Sequence, residues 1–225
     1  MVYDPLVSTT RHTFHTFDST IPAKEIQANP ITAKRVFDVI FSALVFVFVL
    51  SWLMPLVALA IRLESKGPVL FKQLRTGKDN QPFYCFKFRS MYADNAAPHR
   101  QASVGDPRIT RIGAFMRKTN IDELPQFFNV LRGEMSIVGP RPHMLIHTEQ
   151  YAQVVEGFMH RHAVTPGITG LAQVRGYRGE TKEVIAMAKR VRMDRWYIKN
   201  HSFWLDVKIV YLTVDQAIRG HENAF

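Results

Sequence analysis

Residues 39–61 read VIFSALVFVFVLSWLMPLVALAI, 23 consecutive positions without a charge. An apolar stretch of 18 or more matches the roughly 20 residues needed to cross bilayer hydrocarbon. A soluble core helix of that length would normally show a polar face. The fold is therefore expected to be organised around a membrane-inserted helix. Lys34 and Arg35 precede the stretch, and Arg62, Lys66, Lys72 and Arg75 follow it. Basic residues favour the cytoplasmic side, so both ends are drawn to the same face. Pro55 follows Ser51 by four residues, and proline removes a backbone donor and crowds the preceding turn. A break or kink is expected between Ser51 and Pro55. A helix that enters the membrane and returns fits these charges better than a straight span.

The 225 residues suffice for one domain with a real core plus an appendage. Residues 1–33 lack an apolar run behind a basic start and read as a flexible cytoplasmic tail. Residues 34–66 are the re-entrant membrane helix, and 67–225 form a domain on the cytoplasmic side. In that domain, strands are expected at 69–73 and 82–88 around turn residues 76–80, a small β-hairpin. Helices are expected at 111–118, 122–131, 182–199 and 203–217, with loops at 138–142 and 165–170. The last helix carries Phe203, Trp204 and Tyr211, an interfacial composition. The fold class is α+β, mostly helical, with the hairpin and interfacial amphipathic helices.

Lys and Arg number 29 against 19 Asp and Glu, a net charge of +10. Such a balance implies an anionic partner: nucleic acid, acidic lipid or a phosphate-rich substrate. Nucleic acid is disfavoured, because no zinc finger, RNA-binding signature or clear helix-turn-helix occurs. The phosphate cradles G-x-x-x-x-G-K-[ST] and G-x-G-x-x-G are missing, as is H-E-x-x-H. His160 and His162 form an H-x-H pair without further ligands at zinc spacing. The lone Cys85 offers neither a disulfide nor a zinc framework and implies a reducing compartment.

The densest chemical signal is Asp122-Glu123-Leu124-Pro125-Gln126. Proline is tolerated in the first turn of a helix, which places Asp122 at or near an N-cap and Glu123 just inside. An acidic pair there most often caps orphan amides and complements the helix dipole. The cations nearby suggest a second role. Arg117 stands just upstream, Lys87 and Arg89 end the second strand, and Arg141 sits between two prolines. Fixed guanidinium groups suit bidentate phosphate recognition. A carboxylate among such cations stays ionised and could attack phosphorus.

Six pieces in order resemble the bacterial sugar transferases, the monotopic phosphoglycosyl transferases that start lipid-linked glycan assembly. They are Lys34-Arg35-Val36-Phe37-Asp38, Lys87-Phe88-Arg89-Ser90-Met91, Asp106-Pro107-Arg108-Ile109-Thr110, Asp122-Glu123-Leu124-Pro125-Gln126, Val138-Gly139-Pro140-Arg141-Pro142 and Pro166-Gly167-Ile168-Thr169-Gly170. Gly176-Tyr177-Arg178-Gly179-Glu180-Thr181 is further similar to the branch holding undecaprenyl-phosphate glucose phosphotransferases, in its short catalytic-core form. The resemblance implies transfer of a hexose 1-phosphate, glucose before galactose, from a UDP-sugar to undecaprenyl phosphate. Asp122 would be the nucleophile and Glu123 a ligand of Mg²⁺, with Lys87, Arg89, Arg117 and Arg141 around the phosphates. It places the protein at the bacterial inner membrane with its catalytic domain facing the cytoplasm, and suggests a homodimer and downstream glycosyltransferases as partners. The family's helix-breaking Ser-Pro pair is displaced here, since Trp52 follows Ser51. The competing expectation is a non-catalytic, membrane-anchored basic protein that binds acidic lipid, glycan or nucleic acid.

Overall fold

The computed structural model describes residues 33–93, 105–177 and 184–219. The expected tail, up to residue 32, and positions 178–181 of the glucose-branch motif lie outside them.

The apolar stretch forms one helix over Ala33–Glu64, with a mean hydropathy of 2.7 across its most apolar window. It comprises α1 (Ala33–Val45), a π turn (Phe46–Leu50) and α2 (Ser51–Glu64). No break falls between Ser51 and Pro55; the distortion lies one turn upstream, and Pro55 continues as helix. The crowding and missing donor of Pro55 are accommodated by widening the preceding turn. There the Ser51 amide skips to the Phe46 carbonyl. The Val47 carbonyl accepts the Ser51 hydroxyl at 2.6 Å, and Trp52 Nε1 donates to the Phe48 carbonyl at 2.8 Å. The distorted turn thus meets its own polar groups while Val47, Phe48 and Trp52 stay exposed.

The remainder is α+β and mostly helical, as expected. The hairpin pairs β1 (Leu70–Thr76) with β2 (Pro82–Phe88) antiparallel, Leu70 opposite Phe88 and Thr76 opposite Pro82. Then come α3 (Arg111–Thr119), a 3-10 turn (Ile121–Glu123), α4 (Gln126–Arg132), β3 (Ser136–Val138) and α5 (Leu145–Val154). A 3-10 segment (Phe158–Ala163), β4 (Gly167–Thr169), α6 (Leu171–Val174), α7 (Val184–Asn200) and α8 (Phe203–Arg219) complete the described chain. The expected loops at 138–142 and 165–170 are partly strand, because β3 and β4 pair in parallel. Their glycines permit close backbone approach rather than turning: a Cβ on Gly167 would lie 2.1 Å from the Gly139 amide nitrogen.

Both halves of the long helix pack on this one body. Leu50, 1% exposed, sits in the main core with Phe83, Phe127, Val130, Ile137 and Ile209. Ile61 packs with Phe88 and Met116 in a second cluster. Polar contacts fasten the two ends. Asp38 accepts the Ile137 amide at 3.0 Å. Lys34 Nζ reaches the Val138 carbonyl at 2.9 Å and Asp206 at 2.6 Å. Arg35 donates to the last carbonyls of α4, Val130 at 2.6 Å and Leu131 at 3.1 Å. At the far end Glu64 accepts the Arg111 and Ile112 amides and so caps α3. The opposite face, with Ile40, Leu44, Phe48, Leu56, Leu59 and Leu63, is left exposed. On α8, Asp206 and Ile209 are buried while Phe203, Trp204, Tyr211 and Val214 are exposed, and Phe203 meets Phe37 edge-on at 5.5 Å.

The Asp38 contact yields a stability prediction. Asp38→Ala strands the buried Ile137 amide, which costs about 1–3 kcal/mol, whereas Asp38→Asn keeps an acceptor oxygen there. Thermal unfolding in detergent should show a clear drop for the alanine variant and a smaller one for asparagine. Equal, negligible shifts would mean that the contact is dispensable.

Candidate active site

Asn120 ends α3 in the left-handed conformation, φ 60° and ψ 13°, which asparagine tolerates better than most residues. The chain then enters the 3-10 turn Ile121–Glu123 through i→i−3 bonds, Glu123 to Asn120 and Leu124 to Ile121, both at 3.1 Å. Pro125 has no amide to extend these bonds into an α-helix, and α4 begins after it at Gln126. The expected N-cap is therefore displaced. Asp122 lies in the 3-10 turn, caps nothing, and among the described residues its carboxylate accepts no hydrogen bond. Asp122 and Glu123 are 6% and 8% exposed.

Cations converge on this pair from separate elements. Lys87 follows Phe83 and Cys85 on the inward face of β2, the period-2 alternation carrying it toward the turn. Its Nζ meets Glu123 Oε1 at 2.8 Å. Asn129 locks α4 to β2 by accepting the Phe86 amide at 3.0 Å and donating to the Tyr84 carbonyl at 2.7 Å. Arg141 grips Glu123 with both arms, Nη1 to Oε2 at 3.1 Å and Nη2 to Oε1. Burial disfavours the Arg141 cation, yet the Glu123 pair more than offsets it and raises the pKa. For Asp122, burial raises the carboxyl pKa above its ordinary value; Lys87, Arg117 and Arg141 oppose the rise and Glu123 adds to it. Arg117, in the last turn of α3, has a buried Nη1 with no hydrogen-bond partner among the described residues. A buried guanidinium donor left open beside a carboxylate suits an incoming anion.

Arg89 does not join this group. Its guanidinium donates to the Pro68 carbonyl at 2.7 Å, the Ser65 hydroxyl and carbonyl at 2.8 Å each, and the Lys66 carbonyl at 3.0 Å. It clamps the chain that leaves α2. In this placement four of its five N–H donors are engaged by the chain end after α2, through three carbonyls and one hydroxyl.

Sequence reasoning missed Arg75 and Arg161. Arg75 counted only as a flanking charge, though it shares a face of β1 with Gln73, to which it donates. Arg161 is hidden between His160 and His162. Behind the Arg141 loop, Arg161 pairs with Asp194 at 2.6 Å. Burial, reinforced by Arg161, Arg190 and Arg75, holds the His143 pKa well below its ordinary value, so this imidazole is neutral.

Among the described residues no group of three or more His, Cys, Asp or Glu is disposed to hold a metal. Two adjacent carboxylates suit Mg²⁺ when substrate phosphates and water fill the other positions. Both Glu123 oxygens are engaged by Lys87 and Arg141, so Glu123 could hold a metal only by sharing its oxygens with these cations.

Comparison with known proteins places the chain. It is 51% identical to the UDP-glucose:undecaprenyl-phosphate glucose-1-phosphate transferase of Escherichia coli (strain K12), over 80% of this chain and 39% of that protein. It is 47% identical to the exopolysaccharide production protein PSS of Rhizobium leguminosarum bv. phaseoli, over 82% of this chain and 94% of that protein. It is 44% identical to the UDP-N-acetylgalactosamine-undecaprenyl-phosphate N-acetylgalactosaminephosphotransferase of Aeromonas hydrophila, over 85% of this chain and 45% of that protein. The chain thus spans about two fifths of the Escherichia coli relative, 39%. The bacterial sugar transferase profile matches residues 29–220, and with these identities it follows that the chain belongs to the bacterial sugar transferase family.

Proposed function

We propose that the protein transfers a hexose 1-phosphate from a UDP-sugar to undecaprenyl phosphate in two displacements. The observation that carries the reading is Asp122: a buried carboxylate without a hydrogen bond among the described residues, beside Glu123 and within the influence of Lys87, Arg117 and Arg141. The named activities of the relatives support the substrate classes. Glucose is the favoured hexose and galactose the next.

In the first displacement an Asp122 oxygen attacks the β-phosphorus of the UDP-sugar. The bond from that phosphorus to the bridging oxygen breaks, UMP leaves with its electron pair, and the sugar phosphate stays on Asp122 as an acyl phosphate. In the second, an oxygen of undecaprenyl phosphate attacks the same phosphorus and restores the carboxylate. Arg117 offers its open donor to the diphosphate, while Lys87 and Arg141 hold Glu123 in place and stabilise the charge that builds on the phosphoryl oxygens. Glu123 would hold Mg²⁺ by sharing its oxygens with Lys87 and Arg141, and the ion would supply charge neutralisation at the leaving phosphate.

Asp122→Asn should abolish turnover without unfolding the protein, since among the described residues the side chain makes no hydrogen bond that would be lost. With UDP-sugar alone, wild type should release about one equivalent of UMP per active site and stall. A ternary-complex kinetic pattern with no UMP burst would assign the attack to the lipid phosphate instead.

The pH dependence follows from the same geometry. Attack needs the carboxylate, so the rate falls as pH drops through a pKa that burial has raised. Lys87→Ala removes the largest influence opposing that rise, and its kcat/KM profile should have an acid limb at higher pH than wild type. An acid limb that stays in place or moves lower contradicts an Asp122 nucleophile.

We further infer that the long helix is re-entrant and that the body faces the cytoplasm of a bacterial inner membrane. A helix of 32 residues is about 48 Å long at about 1.5 Å per residue. A straight crossing would put its two ends on opposite sides of the bilayer, yet Lys34 to Asp38 and Ile61 to Glu64 are fastened to the same body. Thr9→Cys and Asn200→Cys, each in a Cys85→Ser background, should both resist a membrane-impermeant thiol reagent in intact cells and react after lysis. Labelling at position 9 alone would demonstrate a true span.

A further inference from the structure

The loop that carries Arg141 is held by its backbone. The Pro140 carbonyl accepts the Gly167 amide at 3.0 Å, and the His143 carbonyl accepts the Thr76 amide at 2.9 Å. The two carbonyls between them are held by guanidinium groups. Arg161, only 1% exposed, donates Nη2 to the Arg141 carbonyl at 3.0 Å and to Asp194 Oδ2 at 2.6 Å. Its Nη1 lies 2.8 Å from Nδ1 of the neutral His143. Arg75 donates Nη1 to the Pro142 carbonyl at 2.7 Å and Nη2 to Gln73.

A carbonyl can be satisfied by an amide or a hydroxyl, whereas burying a guanidinium carries a large desolvation cost. What the guanidinium adds is a rigid fork. Through it, Arg161 ties the loop to Asp194 on α7 and to His143, while Arg75 ties it to β1. The tied point is the backbone of the residue whose side chain clasps Glu123 with both arms.

We propose that Arg75 and Arg161 are positioning residues, which grip consecutive carbonyls from β1 and from the 3-10 segment and so aim Arg141 at Glu123 and the substrate phosphates. The inference rests on the role given to Arg141 above. Neither residue touches substrate; each acts through Arg141.

A double-mutant cycle tests this with the full chain in lipid nanodiscs, supplied with UDP-glucose and undecaprenyl phosphate. Arg161→Lys keeps the charge opposite Asp194 but loses the fork. It should lower kcat on the order of 10- to 100-fold, the scale of a misplacement near 1 Å, while thermal unfolding shows a folded protein. Arg141→Ala should be slower still, and Arg161→Lys with Arg141→Ala no slower than Arg141→Ala alone. Arg75→Lys should behave in the same way, and it decides by itself should Arg161→Lys fail to fold. Losses that multiply in the double variants, or lysine variants at the wild-type rate, overturn the positioning role. Arg141→Ala at the wild-type rate would instead overturn the role of Arg141 itself, and the positioning role with it.

Discussion

The Asp38 carboxylate takes the Ile137 amide, and the Lys34 ammonium takes the Val138 carbonyl. These bonds join a helix apolar enough for lipid to the strand that leads directly into Arg141. Lys34 also pairs with Asp206, whose other oxygen accepts the Tyr197 hydroxyl at 2.6 Å. One half-buried cluster therefore connects α1, β3, α7 and α8. Together with the packing of Leu50 and Ile61, it sets the relation between the exposed apolar face of the helix and the charged turn at Asp122. The proposed transfer, from a water-soluble donor to a lipid acceptor, would depend on that relation.

Charge is handled differently at the surface and inside. The basic residues that flank the apolar stretch suggest attraction to lipid headgroups, but Lys34 and Arg35 make inward contacts with the body. Arg89 likewise turns its donors to the chain end after α2. Around Glu123 the cations pair with a carboxylate, and Arg161 pairs with Asp194. Buried pairs of this kind add little net stability beyond what apolar residues of similar volume would give, and removing one member is costly. Their value lies in fixing geometry, which is what the proposed phosphoryl transfer would need, since most catalysis of that kind is positioning and electrostatic stabilisation.

The hairpin shows how far local pattern reaches. The bulky residues of 82–88 and the turn chemistry near Gly77 mark the hairpin, and the observed pair follows them closely. The start of α4 shows where local pattern fails. Proline is compatible with a first helical turn, so Asp122 reads as a cap, but the missing Pro125 amide favours i→i−3 bonding before it. A cap is worth about 1 kcal/mol, small enough for packing around the turn to override it. Similarly, Pro55 marks a distortion in the helix, but its placement at Phe46–Leu50 depends on which side chains can satisfy the skipped carbonyls.

The sequence alone determined the apolar helix, the hairpin, the helical character of the rest, and the short list of charged residues from which the site is drawn, because these depend on hydrophobicity, backbone propensity and residue chemistry within a few positions. Tertiary structure decided which of those charges face one another. Lys87 and Arg141 come to Glu123 from 36 and 18 positions away, Arg89 is diverted to backbone carbonyls, and Arg75 and Arg161 enter behind the Arg141 loop. Local rules cannot assign such partners, because a buried guanidinium binds whichever acceptor the packing of distant elements brings within reach, and the cost of leaving it unpaired then fixes the choice.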